Sequence, residues 1–136
     1  MKTEVLPAFA GEHELNTEAI EKAGELLGAG EVVAIPTETV YGLAANAYDG
    51  NAVSKIFKAK GRPQDNPLIV HIAKVETLSD LVAEVPKAAK KLAAAFWPGP
   101  LTMILPKSEK IPDAVSAGLP TVAVRMPSHP VAHAVI

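Results

Sequence analysis

Two cations, a turn and an apolar run with one histidine lie close together in this chain, in the segment KAKGRPQDNPLIVHI (58–72). Lys60 and Arg62 flank Gly61, and the prolines that follow fix φ and favour extended backbone in the residues before them. Arg62 and Arg125 are the only arginines, and the planar donor fork of arginine suits a carboxylate or a phosphate. The pattern predicts an anion contact at each arginine, and an ordinary salt bridge is an equally good interpretation.

The apolar runs 68–73 and 121–126 each carry polar side chains on one face. Alternation along a strand puts His71 on the face opposite its valine and isoleucine neighbours, and it puts Thr121 and Arg125 on a shared face, roughly 13 Å apart. His71 is therefore a candidate ligand contact. The favoured alternative is a hydrogen-bonded core histidine, which is the commoner role in an apolar strand.

A polar loop, PTETVYGL (36–43), follows a short apolar run. α/β sheets usually bind ligands at strand ends, and this loop offers the Thr37 and Thr39 hydroxyls and the Glu38 carboxylate. Tyr41 would add an amphipathic wall to such a site. The alternative is an ordinary threonine-rich turn with Tyr41 half-buried.

Composition and motifs exclude several classes of site. Without cysteine there is no disulfide, thiolate nucleophile or cysteine zinc site. Neither GxxxxGK[ST] nor GxGxxG occurs, so a bound nucleotide would need cationic side chains instead of a glycine-rich phosphate loop. No serine lies in a nucleophile elbow. His129 and His133 have a metal-like spacing but lack the glutamate of HExxH, and they are interpreted as surface residues. The net charge of −2 gives no overall case for nucleic-acid binding.

Apolar periodicity predicts the scaffold that must position these groups. Helices are predicted over 17–27, 49–59, 75–82, 86–96 and 130–136, and strands over 31–35, 68–73, 101–105 and 121–126. Interleaved strands and helices define the α/β class. In the helix over 86–96, the expected apolar stripe is Ala89, Leu92 and Phe96. A chain of 136 residues, 49% of them hydrophobic, can bury the core of one domain.

Neither a membrane span nor a signal peptide is expected. No apolar run approaches the roughly 18 residues of a span, and the first residues lack a basic start and an apolar core. The predicted location is the cytoplasm, with no membrane partner.

Four ordered motifs resemble the Sua5/YrdC/YwlC family of L-threonylcarbamoyladenylate synthases. They are PTETVYGLAANA (36–47), KAKGRPQDNPLIVHI (58–72), WPGPLTMIL (97–105) and TVAVRMPSHP (121–130). The resemblance implies a YrdC-like fold, a twisted mixed β-sheet with flanking helices and an open ligand cleft, over residues from about 17 to 136. It also implies a nucleotidyltransferase that forms threonylcarbamoyl-AMP and pyrophosphate from L-threonine, bicarbonate and ATP.

The family pattern also implies roles for the matching residues. The implied assignments are threonine binding by Thr39, His71 and Arg125, ATP binding by Arg62, Asn66 and Thr121, and catalysis by Lys60 and Arg62. Mg²⁺ is expected on the ATP phosphates, without a dedicated protein metal site. A threonylcarbamoyl-transferase complex acting on tRNA is the implied partner.

The family's Ser-x-Asn motif does not occur up to Ile136. The domain is therefore expected to be incomplete, with an open cleft and little synthesis by this chain alone. Alternative interpretations are a double-stranded RNA-binding module that uses Lys55, Lys58, Lys60 and Arg62, a carbamoyl-transfer domain of the hydrogenase-maturation type, and an inactive fragment.

Overall fold

The computed structural model describes residues 2–136, in which helices alternate with short strands as the α/β class requires. The helices are α1 (Thr17–Gly28), α2 (Gly50–Lys60), α3 (Leu78–Leu81), α4 (Lys87–Phe96), α5 (Asp113–Ser116) and α6 (Pro130–Val135). The strands are β1 (Val33–Ile35), β2 (Gly42–Ala44), β3 (Ile69–His71), β4 (Thr102–Pro106) and β5 (Thr121–Arg125). No helix within the described residues is long and apolar enough to cross a membrane.

The strands form two sheets within residues 2–136. β1 and β2 make an antiparallel hairpin in which Ile35 pairs with Gly42. The second sheet has the order β3-β5-β4, with β3 parallel and β4 antiparallel to β5. The predicted mixed sheet with flanking helices is confirmed, while the first predicted strand lies in the separate hairpin.

The first two residues of β2, Gly42 and Leu43, belong to the segment predicted as a polar loop, 36–43. A strand of three residues is too short to show a period-two pattern, and its first residue, Gly42, weakens a strand by itself. Pairing with β1 creates the strand. The loop is therefore confined to residues 36–41, and both of its ends are held by the hairpin.

Two helical predictions need correction. The predicted helix over 75–82 is a 3₁₀ turn (Val75–Thr77) followed by the four residues of α3. In α4 the buried side chains are Ala89 and Ala93, whereas Leu92 and Phe96 are 41% and 58% exposed. Small side chains four residues apart let this helix approach the core closely, so its larger apolar side chains face outward. α5 was not predicted at all, because one helical turn shows no periodicity.

Side-chain caps set the starts of α1 and α2, which agree with the helices predicted over 17–27 and 49–59. The Asn16 side chain accepts a hydrogen bond from the Ala19 N–H, and Asp49 accepts from two N–H groups in the first turn of α2. Gly61, the residue after the last residue of α2, caps the helix with a φ of 62°, the left-handed conformation that glycine adopts without strain. The cap turns the chain out of the helix just before Arg62.

Two hydrophobic clusters hold these elements together. The larger cluster packs α2, α3 and α4 against the mixed sheet and includes Phe57, Val70 and Val124. The smaller cluster packs α1 and α6 against β1 and includes Ile35 and Ala132. Because each sheet has its own cluster, the space between the hairpin and the mixed sheet is left open as a cleft.

Candidate functional site

A cleft of about 1050 Å³ opens between the hairpin and the mixed sheet. Its lining draws on both hydrophobic clusters, with Ile35 and Val135 from one and Val53 and Val70 from the other. Polar groups enter from loop 36–41, β3 and β5. A concave, mostly apolar wall with a few convergent polar groups is the usual form of a small-molecule site.

Thr39, His71 and Arg125, the three residues implied to bind threonine, all line this cleft. His71 is the last residue of β3 and pairs in register with Arg125, the last residue of β5. Thr39 comes from loop 36–41 on the hairpin side. The structure thus brings together residues that are far apart in the sequence, and their roles stay predictions.

Arg125 is held in place by Thr102 on the neighbouring strand. Its Nε donates a hydrogen bond to Thr102 Oγ1 at 2.9 Å, and the register of β4 and β5 sets the two residues opposite each other. The two terminal guanidinium nitrogens make no hydrogen bond to residues 2–136, so both are free to donate to the two oxygens of a carboxylate end-on. Sequence reasoning missed Thr102, because strand pairing cannot be read from the run 101–105 alone.

Thr37 folds loop 36–41 into a compact turn. Its Oγ1 accepts from the N–H groups of Thr39 and Val40 at 3.3 and 3.2 Å, and it donates to the Val40 carbonyl at 2.6 Å. These bonds hold Thr39 in the cleft wall. Tyr41, which an ordinary turn would leave half-buried, is 78% exposed.

Glu38 occupies the same loop but does not line the cleft. Its Oε2 accepts a hydrogen bond from the Ser128 N–H at 3.3 Å. Its Oε1 is buried and has no hydrogen-bond partner. A carboxylate oxygen in this state is costly unless its position serves another purpose.

The pKa of His71 is lowered from the ordinary value of 6.5. Burial is the largest cause, because it disfavours the imidazolium, and the charge of Arg125 acts in the same direction. The Glu38 carboxylate opposes both effects. His71 is therefore neutral near pH 7, so its ring can donate one hydrogen bond and accept another. Its ring makes no hydrogen bond within the described residues, whereas a hydrogen-bonded core histidine would make at least one.

The residues implied to bind or act on ATP lie outside the lining of the cleft. Lys60 is the last residue of α2, and Arg62 and Asn66 follow it in an exposed turn. Thr121 begins β5, at the end of the strand opposite Arg125. Nothing in the geometry joins these four side chains to one another, so their roles stay predictions.

Three further observations concern the predicted basic patch, the predicted surface position of His129 and metal binding. The Lys55 ammonium donates to the Gly30 carbonyl at 2.8 Å and to Glu31 at 3.3 Å, which reduces the predicted basic patch. His129 is half-buried, and its Nδ1 accepts from the Val131 N–H at 3.2 Å to cap α6, so it is not a simple surface residue. Within residues 2–136, no group of three or more histidine, aspartate or glutamate side chains is placed to hold a metal ion.

The model of the Sua5/YciO/YrdC family, described as "Telomere recombination", matches residues 25–136. The chain belongs to this family. It is 59% identical over 113 residues to the threonylcarbamoyl-AMP synthase of Pyrococcus abyssi, covering 83% of this chain and 33% of that protein. It is 57% identical over 122 residues to that of Bacillus subtilis, covering 89% of this chain and 35% of that protein. The chain thus spans about a third of the length of these curated relatives.

The same family resemblance appears in three dimensions. The crystal structure of P. abyssi Sua5 complexed with L-threonine matches with a TM-score of 0.89 and 55% sequence identity, over 91% of this chain and 36% of that chain. The predicted family and the YrdC-like fold are confirmed.

Proposed function

We propose that this chain carries the threonine-binding cleft of a threonylcarbamoyl-AMP synthase, a nucleotidyltransferase that uses L-threonine, bicarbonate and ATP. One observation carries the proposal. Thr39, His71 and Arg125 converge in one cleft, and the chain is 55% identical to a protein whose crystal structure is a complex with L-threonine.

The cleft suits a small amino acid. The Arg125 fork, held through Nε by Thr102, offers two parallel donors to an α-carboxylate. The neutral His71 ring and the Thr39 hydroxyl each provide a donor and an acceptor for the amine and hydroxyl groups of threonine. A low-dielectric wall strengthens these contacts relative to water.

The chemical step joins two anions, so charge repulsion is the main obstacle. The threonine amine and bicarbonate first form a carbamate with loss of water. A carbamate oxygen then bonds to the α-phosphorus of ATP while the bond from that phosphorus to the pyrophosphate oxygen breaks. Lys60 and Arg62 would neutralise the phosphate charge as it moves to pyrophosphate, and Asn66 and Thr121 would hold the nucleotide. Pro67, just beyond this exposed turn, lines the cleft, which supports bringing ATP to the threonine site from that side.

Mg²⁺ would arrive as part of the ATP substrate. Its ligands would come mainly from the phosphates and water.

The product would then pass to a threonylcarbamoyl-transferase complex that acts on tRNA. Two features indicate that the partner complex, and not this chain, would contact the RNA. The chain has a net charge of −2, and Lys55 of the small basic patch is paired with Glu31.

Calorimetric titration with L-threonine tests the binding half of the proposal, with L-valine as the control for the hydroxyl group. Saturable binding of L-threonine that exceeds L-valine binding is expected. No saturable binding of L-threonine would overturn the proposal.

Release of pyrophosphate from ATP, dependent on threonine and bicarbonate, tests the chemical half in a protein extended to the length of the curated relatives. Lys60→Ala and Arg62→Ala should each abolish it while the circular dichroism spectrum stays unchanged, because both side chains are exposed. Normal pyrophosphate release by either variant would remove that residue from the mechanism.

A further inference from the structure

Glu38 is a carboxylate for which the proposed reaction provides no role. It lies between two threonines of loop 36–41, yet it does not line the cleft. Oε2 accepts from the Ser128 N–H at 3.3 Å, and Oε1 is buried without a hydrogen-bond partner. Burying such an oxygen disfavours folding. Stability of the fold therefore does not explain why the carboxylate lies there.

The bond to Ser128 links loop 36–41 to the segment that runs from β5 to α6. All other hydrogen bonds of residues 37–40 stay within the loop. Ser128 follows β5, three residues after Arg125, and the intervening Pro127 is fully buried. Within the described residues, Glu38 thus makes the one hydrogen bond between this loop and the segment after β5.

We propose that Glu38 is a positioning residue that ties loop 36–41 to the segment after β5 and so fixes the distance between Thr39 and Arg125. The inference rests on the proposed threonine site. Thr39 and Arg125 belong to parts of the fold with separate sheets, so a small hinge movement would change their separation. A misplacement of about 1 Å is enough to weaken a contact that needs several groups at once.

The charge of the carboxylate suits this position. Glu38 acts electrostatically on His71 in the sense opposite to Arg125. The carboxylate is thus near enough to the cleft to act on His71, although it does not line the cleft.

Two variants of Glu38 test the tie, with Glu84→Ala as the control because Glu84 is exposed and makes no hydrogen bond within residues 2–136. Glu38→Ala removes the acceptor of the Ser128 N–H. Glu38→Gln keeps an oxygen that can accept it. Amide hydrogen exchange is measured at Ser128 and residues 37–40 in the purified protein, and the L-threonine dissociation constant is measured by calorimetry.

In Glu38→Ala we expect exchange at Ser128 to accelerate roughly tenfold or more, and threonine affinity to fall by a similar factor, as for loss of a hydrogen bond to a charged group. Glu38→Gln should restore most of the protection and a large part of the affinity. Glu84→Ala should change neither quantity. If the alanine variant does not fold, Glu38→Asp replaces it, since the shorter side chain falls short of Ser128.

Unchanged exchange at Ser128 in Glu38→Ala would disprove the tie. Faster exchange at Ser128 in Glu38→Ala with unchanged threonine affinity would disprove the positioning role. The positioning role would also be disproved if Glu38→Gln bound threonine no better than Glu38→Ala. If the unmodified protein binds no threonine, the proposed function fails, whereas the exchange data still decide whether Glu38 holds the loop.

Discussion

The guanidinium of Arg125 faces the cleft, and its Nε already donates a hydrogen bond to Thr102. We predict that Arg125→Lys weakens threonine binding by about tenfold or more, roughly 1.4 kcal/mol or above, although the charge is retained. A lysine ammonium is a point charge and cannot reproduce two parallel donors. Calorimetry with L-threonine in the absence of ATP measures the effect. Arg62→Lys is the matched control, and equal affinity in Arg125→Lys and the unmodified protein would exclude Arg125 from the site.

His71 provides the pH dependence at the residue scale. Its folded-state pKa is below 6.5, so its contribution to stability is present above about pH 6.5 and is lost as pH falls through the folded-state pKa. We predict an NMR titration midpoint of the His71 ring below 6.5. A midpoint at or above 6.5 without ligand would contradict the buried, Arg125-facing environment.

At the scale of elements, α2 carries the implied catalytic pair at its C-terminal end, while Asp49 caps its N-terminus. Asp49 accepts from the Asn51 N–H at 2.9 Å and from the Ala52 N–H at 3.2 Å. We predict that Asp49→Ala lowers the free energy of unfolding by about 1 kcal/mol, the typical effect of losing such a cap. Urea denaturation measures this change. Asp65→Ala, at an exposed position without a hydrogen bond in the described chain, should change it little, and equal stability of the two variants would disprove the cap.

At the scale of the whole molecule, the cleft lies between two separately packed clusters, so a ligand that contacts both sides should bind only the folded chain. We predict that L-threonine raises the melting temperature. At one hundred times the dissociation constant, the stabilisation should be about 2.7 kcal/mol. Thermal unfolding followed by circular dichroism measures the shift, and Arg125→Lys should show a smaller shift at the same threonine concentration. No shift for the unmodified protein at saturating threonine would contradict a ligand that binds the folded cleft.

Features that depend on contacts between neighbouring residues can be predicted from the sequence. Asn16 and Asp49 mark the starts of α1 and α2, because capping is a contact within a few residues. The α/β class and the family followed from interleaved elements and four ordered motifs. The family motifs indicate Thr39, His71 and Arg125 as site residues, although the three lie far apart in the sequence.

Features that depend on pairing between distant segments become visible only in the folded chain. The hairpin strand β2, the alanine face of α4 and the Thr102 contact of Arg125 could not be predicted from local patterns. The same holds for the bond from Glu38 to Ser128. The physical reason is that strand register and helix orientation are chosen by packing partners, and a slip of one residue moves a strand's side chains to the opposite face. Local sequence therefore names the candidate groups, and long-range packing decides which of them meet.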